Sequence, residues 1–107
     1  MTLHELCDAC GVSRRAVQGY EAAGLVQPSG HNKRGYLIYD PAAQDQVRTI
    51  RTYQRFGFQV REIGRLLSMP PEAQKEKLIR QKNILAQKQE ELRDTLRLLT
   101  ERIESIP

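Results

Sequence analysis

The sequence predicts a mainly α-helical protein with one small β-hairpin, organised as residues 1–70 followed by a single long helix over residues 71–107. In the first part, apolar residues recur every three or four positions, which is the period of amphipathic helices. After two consecutive prolines, leucine or isoleucine recurs at every seventh position, which is typical of a coiled-coil helix. With 107 residues, the chain is long enough for one modest core and an appendage.

Residues 2–10 form the first predicted helix. Its apolar residues lie three and four positions apart: Leu3, Leu6 and Cys10. Gly11 follows at a break where a tight turn needs a residue that tolerates the left-handed conformation. A helix, a short turn with glycine and a second helix are the layout of a helix-turn-helix. Two ordinary helices of a small bundle would show the same pattern.

A second helix is expected between Ser13, a favourable N-cap, and Gly24, which ends it. One face of this helix carries Val17 and Tyr20, and Val12 lies just upstream on the same face. The opposite side is polar and cationic and carries Arg14, Arg15 and Gln18. In the DNA major groove, arginine can bond guanine bidentately and glutamine can do so with adenine. This helix is therefore predicted to read DNA bases.

A small hairpin is predicted next, with residues 26–27 paired to Leu37–Ile38. Residues 36–39 are aromatic and β-branched, which is a strand composition. The Asn, Lys, Arg and Gly residues between the two segments are typical of a hairpin tip. Lys33 and Arg34 at this tip would bind a DNA phosphate. Such a contact positions a protein on DNA without reading its sequence. A solvated turn with ordinary charges is the alternative.

Asp40 and Pro41 predict the start of a third helix, because aspartate caps a helix and proline fits its first turn. This helix is expected to run to about Phe56 with an apolar stripe of Val47, Ile50, Tyr53 and Phe56. Gly57 ends it, and a fourth helix over residues 61–68 directs Ile63, Leu66 and Leu67 inward. The exposed side of the third helix carries Arg48, Arg51 and Arg55. Around its junction with the fourth helix, Arg55, Arg61 and Arg65 form either a second surface that contacts the DNA backbone or a solvated face.

The two prolines at positions 70 and 71 exclude a continuous helix and predict a hinge. From Glu72 the chain is one long charged helix whose heptad positions are Leu78, Leu85, Leu92, Leu99 and Ile106. Leu96 and Ile103 widen this seam, as does Ile84. At 1.5 Å per residue the seam extends over about 42 Å. Nothing else in the sequence covers it, so the simplest partner is a second copy of the chain. A helix folded back on its own domain is the alternative.

The charge balance favours an anionic partner. The formal net charge is +4, and residues 1–70 carry nine Lys and Arg against six Asp and Glu. No apolar run is long enough to cross a membrane and no signal segment is recognisable, so a cytoplasmic location is expected.

Cys7 and Cys10 have the spacing of a redox pair or of half a zinc site. A second Cys/His pair and the βαβ setting of redox motifs are both missing from the sequence, so the two cysteines are expected to be small apolar residues near the core. The sequence contains no carboxylate pair, nucleophile–base arrangement or glycine-rich phosphate loop. We therefore expect no enzymatic activity, no metal and no cofactor.

These features, in this order, resemble the MerR family of bacterial transcription regulators. The resemblance covers about the first 70 residues and is carried by Leu3-x-x-Leu6, Gly11-Val12-Ser13-x-Arg15, Tyr20-Glu21-x-x-Gly24-Leu25-Val26, Gly35-Tyr36-x-x-Tyr39, and Ile50-Arg51 with Gly57-Phe58-x-x-x-Glu62-Ile63. It implies a winged helix-turn-helix domain and a dimerisation helix that forms an antiparallel coiled coil. It also implies a homodimer that binds and distorts an inverted repeat in promoter DNA, with RNA polymerase as a further partner there.

The resemblance also implies individual roles. Arg15 falls at the recognition-helix arginine, and Tyr20 at a tyrosine that contacts the DNA backbone. Tyr36 and the basic tip before it correspond to the wing, while Arg51 and Arg55 lie where a second wing forms. The predicted DNA-binding set is Ser13, Arg14, Arg15, Gln18, Tyr20, Lys33, Arg34, Tyr36, Arg51 and Arg55. The predicted dimerisation set is Leu78, Leu85, Leu92, Leu96, Leu99, Ile103 and Ile106.

The chain departs from the family pattern at three positions. Gln18 and Leu37 stand where arginine is frequent, and Gly19 where tyrosine is frequent. Fewer cations should neutralise fewer phosphates and flatten the salt dependence of binding. The chain reaches Pro107 while still on the predicted dimerisation helix, so a short member without a separate effector-binding domain is expected. Two other hypotheses remain: an adaptor that uses its coiled coil on another protein, and a thiol sensor.

Overall fold

The computed structural model describes all residues 1–107 and contains five helices and one two-stranded sheet. In chain order the elements are α1 Leu3–Cys10, α2 Arg14–Ala22, β1 Gly30–His31, β2 Leu37–Ile38, α3 Pro41–Arg55, α4 Val60–Leu67 and α5 Pro71–Ser105. The chain divides into two units, Met1–Ser68 and Met69–Pro107. The predicted fold class, mainly α-helical with a small hairpin and a long last helix, is confirmed.

Short polar side chains fix where the helices begin. The Thr2 hydroxyl accepts from the backbone N–H of Glu5 at 3.3 Å, and the Glu5 carboxylate accepts from the N–H of Thr2 at 3.2 Å. This second bond lowers the pKa of the Glu5 carboxyl below its usual value. The predicted N-caps Ser13 and Asp40 are confirmed, because each accepts from a backbone N–H in the first turn, at 3.0 and 2.9 Å.

The core of the first unit combines the apolar faces of α1 to α4 with residues flanking the hairpin. Its most buried side chains are Leu6, Val17, Tyr20, Val26, Tyr39, Val47, Ile50, Ile63 and Leu66. Each fully buried valine, leucine or isoleucine side chain contributes about 1.5–3 kcal/mol relative to an exposed position. The turn between α1 and α2 is made by Gly11, whose φ of +64° confirms the predicted left-handed residue.

The hairpin pairs residues other than those predicted. Gly30 lies opposite Ile38 and His31 opposite Leu37, so the expected pairing of residues 26–27 is wrong. Val26 is only 3% exposed because its side chain packs in the core. The observed pairing needs only residues 32–36 as a loop, whereas the predicted one would leave residues 28–36 unpaired, and hairpin loops are usually short.

The remaining boundaries differ from the predictions by about one residue. α3 ends at Arg55 with Phe56 as its C-cap, α4 begins at Val60, and α5 begins at Pro71. α5 contains no buried residue. None of the helices combines the length and the apolar character that crossing a bilayer requires.

Candidate nucleic-acid interface

The predicted recognition helix is α2, and its two faces differ as expected. Val17 and Tyr20 are buried in the core, which fixes the rotation of α2 about its axis. Arg14, Arg15 and Gln18 are consequently exposed on the other face. The side that the sequence predicts to read bases is therefore open to solvent along its first turns.

Tyr20 is itself a core residue. It is only 2% exposed, and its hydroxyl donates to the Gln54 side-chain oxygen at 2.8 Å. This bond joins α2 to the last turn of α3. The backbone contact that the resemblance implies for Tyr20 stays a prediction, and only its hydroxyl could make it.

A second tyrosine holds α2 from another direction. The hydroxyl of Tyr39, a buried residue that follows β2, donates a hydrogen bond to the Glu21 carboxylate. The pKa of Tyr39 is raised well above its usual value, mainly by burial and secondly by this bond to Glu21. Two tyrosine hydroxyls thus fix α2 against the rest of its unit.

The hairpin forms a wing with a basic tip. Asn32 organises the tip, because its side-chain oxygen accepts from the backbone N–H groups of Arg34 and Tyr36 at 2.9 and 3.0 Å. Gly35 has a φ of +81°, a conformation that side-chain-bearing residues rarely adopt. Lys33 and Arg34 are exposed at the tip, and Tyr36 is 61% exposed. A large aromatic side chain left open beside two cations is available to a ligand.

A cleft of about 540 Å³ joins the recognition helix to the wing. It is lined by Thr2, Leu3, His4, Arg14, Gly35, Tyr36 and Leu37. The structure therefore brings together Arg14 and Tyr36, two predicted DNA-binding residues that are distant in sequence. Arg15 and Gln18 lie outside this cleft, on the open face of α2.

A separate groove of about 580 Å³ lies at the end of α3. It is lined by Arg51, Thr52, Gln54 and Arg55. The two predicted second-wing arginines thus line one depression. Gln54 is not one of the residues predicted to bind DNA, although it lies three residues after Arg51 and so shares its side of the helix. That spacing was the available signal.

The lysine and arginine residues of the first unit form no ion pairs. All nine Lys and Arg of residues 1–68 are exposed, and the ion pairs in the structure involve none of them. Those pairs are His4–Asp8, Arg93–Glu90 and Arg97–Glu101. Exposed cations that form no ion pair remain available to attract a polyanion, and that attraction weakens with salt.

Cys7 and Cys10 are free thiols, half-buried against the core, which confirms the expected placement. Burial raises the pKa of the Cys7 thiol above its usual value. Because the thiolate is the reactive form, this shift disfavours nucleophilic chemistry at Cys7. The Cys10 sulfur lies 3.8 Å from the backbone oxygen of Gln44. The structure contains no group of three or more His, Cys, Asp or Glu residues arranged to hold a metal ion.

The chain matches two family models, described as MerR HTH family regulatory protein over residues 1–69 and as MerR, DNA binding over residues 44–106. The mercuric resistance operon regulatory protein of Bacillus cereus is 34% identical over 65 residues, which is 61% of this chain and 49% of that protein. The chain thus spans about half the length of this relative. Both the matched family and this relative are described as regulatory proteins, and neither supports the adaptor hypothesis.

Two solved structures share the fold. MtaN, the N-terminus of the Bacillus subtilis multidrug transporter activator, has a TM-score of 0.76 at 25% identity, covering 96% of this chain and 97% of that chain. HiNmlR, a MerR family regulator lacking the sensor domain and bound to promoter DNA, has a TM-score of 0.73 at 17% identity. That alignment covers 94% of this chain and 81% of that chain.

Proposed function

The chain belongs to the MerR family of helix-turn-helix regulatory proteins, and from this premise we propose that it is a transcription regulator that binds promoter DNA sequence-specifically as a homodimer. One observation carries the proposal: the first unit exposes nine cations without carboxylate partners on its recognition helix, its wing and its last two helices. Such a surface is complementary to a DNA duplex.

Base recognition is assigned to α2. Arg15 and Gln18 are exposed on the face opposite the buried Val17 and Tyr20, so the helix can enter the major groove without leaving the core. Arginine pairs best with guanine and glutamine with adenine. Ser13 and Arg14 lie at the start of α2, where backbone N–H groups favour a phosphate.

Backbone contacts are assigned to the wing and to the end of α3. Lys33, Arg34 and Tyr36 would hold phosphates on one side of the recognition helix, and Arg51 and Arg55 would hold phosphates at the second wing. These contacts set the position of α2 and carry most of the salt dependence. Two contact regions beside one recognition helix also suit an operator that is bent or untwisted on binding.

The dimer is assigned to α5. The predicted seam residues from Leu85 onward are large apolar side chains exposed to solvent in the single chain. Exposed apolar side chains at heptad spacing indicate a partner helix. A second copy in an antiparallel coiled coil would place two recognition helices on one duplex and require an inverted repeat. RNA polymerase is the further partner that a promoter-bound regulator would meet.

Selection of bound fragments from a random DNA pool tests the proposal. We expect enrichment of a single motif made of two half-sites in inverted orientation, since a two-fold symmetric dimer reads a two-fold symmetric site. A selected motif without this symmetry would contradict the homodimer. A pool that shows no enrichment would contradict sequence-specific recognition.

A further inference from the structure

We propose that Gln54 donates a hydrogen bond to a phosphate of the DNA backbone between Arg51 and Arg55, and that the hydroxyl of Tyr20 sets the orientation of its amide. This inference rests on the proposed function. It adds a contact residue outside the predicted set and gives a different role to Tyr20.

The hydrogen bond between Tyr20 and Gln54 determines which end of the amide faces the groove. The Tyr20 ring is held by core packing, and its hydroxyl donates to the Gln54 oxygen at 2.8 Å. In a planar amide, turning the oxygen towards one neighbour directs the NH₂ group, with its two donors, away from it. Gln54 is half-buried and also lines the groove. The amide NH₂ group of Gln54 is therefore available in the groove as a hydrogen-bond donor to a ligand.

The other side chains of the groove are suited to an anion. Arg51 and Arg55 are exposed and form no ion pair with a carboxylate. The hydroxyl of Thr52 donates to the backbone oxygen of Arg48 at 3.0 Å, so its proton is already used. The groove thus combines two cations and one neutral donor and is lined by no acidic side chain. A phosphate, with several acceptor oxygens and a negative charge, matches this set.

The location explains why more than one group is needed. The groove lies at the carbonyl end of α3, where the helix dipole disfavours an anion. Arg55 in the last turn offsets this partial charge. A neutral donor strengthens the contact without adding charge, so its contribution can be separated from that of the arginines by the salt dependence of binding.

The test is a salt titration of the full chain on a random-sequence duplex, followed by fluorescence anisotropy. Gln54→Met removes the donor but retains the shape, and it should weaken binding about ten- to a hundredfold with an unchanged slope of log K against log salt. Arg51→Met should weaken binding and also reduce that slope by about 0.9 for each subunit on the duplex, or about 1.8 for the homodimer. Gln46→Met, at a half-buried glutamine of α3 outside the groove, should bind like wild type.

Two further variants test the orientation. Tyr20→Phe keeps the ring but removes the hydroxyl, and its affinity for the duplex should fall by the same factor as that of Gln54→Met. The affinity of the double variant should fall no further than that of either single variant, because both substitutions remove the same contact. Gln54→Glu keeps the acceptor for Tyr20 but faces the phosphate with a carboxylate, so it should bind more weakly than Gln54→Met. Thermal unfolding of each variant shows that it is folded.

The outcomes are distinguishable. Wild-type affinity in Gln54→Met, together with weakened binding in Arg51→Met, would overturn the proposed contact. Additive losses in the double variant would overturn the orienting role of Tyr20. A wild-type chain that binds no duplex at low salt would contradict the proposed function itself.

Discussion

Arg15 and Gln18 are the side chains on which sequence recognition depends. Both are exposed on α2, opposite Val17 and Tyr20. The other candidate cations lie where phosphates would be held, and phosphate contacts raise affinity for every sequence alike. Selectivity therefore depends on a very small number of side chains, and a single substitution should be enough to remove much of it.

Replacing Arg15 by alanine should remove much of the operator selectivity. Loss of a bidentate contact to guanine costs about 1–3 kcal/mol of discrimination. Competition between the selected operator and a scrambled duplex, at one salt concentration, measures this difference. Arg80→Ala removes an exposed arginine from α5 and serves as the control. A footprint on the operator that Arg15→Ala leaves unchanged would refute the assignment.

The hydrogen bond between Tyr39 and Glu21 should make the stability of the first unit decline at alkaline pH. The buried hydroxyl of Tyr39 donates to the Glu21 carboxylate, and its pKa is raised above the usual value, first by burial and then by this bond. The folded chain therefore keeps the proton over a pH range in which the unfolded chain loses it. The resulting stabilisation is complete below about pH 10 and is lost as the pH rises towards the folded pKa.

Tyr39→Phe should lower the free energy of unfolding at neutral pH by about 1.5–3 kcal/mol, because a hydrogen bond to a charged group is lost. The decline of stability above about pH 10 should also become less steep, since the hydroxyl whose pKa is raised on folding is absent. Urea unfolding at a series of alkaline pH values measures both effects. Tyr36→Phe, at an exposed tyrosine, is the control and should decline like wild type. An equally steep decline in Tyr39→Phe would show that other groups cause it.

At the scale of elements, the wing is the least self-supporting part of the first unit. Each of its strands has two residues, and its tip is held by the Asn32 side chain bonding to the N–H groups of Arg34 and Tyr36. A two-stranded hairpin alone is at best marginally stable. The Asn32 turn therefore pre-orders the basic tip more than it stabilises the core.

Asn32→Ala should weaken DNA binding by about 1–2 kcal/mol, because binding must then order the backbone of the tip, which the Asn32 side chain orders in the wild-type chain. The thermal midpoint should change little, since no core contact is lost. Amide hydrogen exchange should accelerate at Arg34 and Tyr36, whose N–H groups lose their acceptor. Asn83→Ala, on the exposed surface of α5, is the matched control. Unchanged exchange at both amides would show that the backbone alone holds the tip.

At the scale of the whole molecule, the long helix is the element whose apolar side chains remain exposed in a single copy of the chain. α5 covers Pro71–Ser105 without a buried residue, although it carries eight exposed large apolar side chains. Most of them follow the heptad seam. Leu98 does not, because it lies six residues from Leu92 and is rotated well away from it at 100° per residue. Leu98 shares its heptad position with Ile84, fourteen residues earlier, so Ile84 also lies beside the seam and is not one of the predicted dimerisation residues.

Leu92→Asp should convert dimers into monomers with weak DNA binding, because a carboxylate would be buried in the seam. Leu98→Asp makes the same chemical change at equal exposure, 58% against 60% for Leu92, and should leave the dimer intact. Sedimentation velocity gives the oligomeric state, and anisotropy gives the affinity. Dimers that persist in Leu92→Asp would refute the seam. Dissociation by Leu98→Asp alone would place the interface on another face.

Local patterns predicted most of the helical architecture. Ser13, Asp40 and Gly11 act through contacts or backbone conformations within a few residues, so their roles can be inferred without knowing the fold. The same holds for the apolar stripe of α3 and for the exposed arginines of α2. Of the candidate interface, the charged and polar residue types and their elements could be predicted in this way.

Neighbouring residues alone thus determined for this protein where its helices lie and which of their faces are apolar. Tertiary structure alone decided the partner strand of Leu37–Ile38 and the bonds from Tyr20 to Gln54 and from Tyr39 to Glu21. The two tyrosine bonds join residues 34 and 18 positions apart. The physical reason is that a hydrogen bond between distant residues depends on how the whole core packs, whereas a cap or an apolar stripe depends only on the residues beside it.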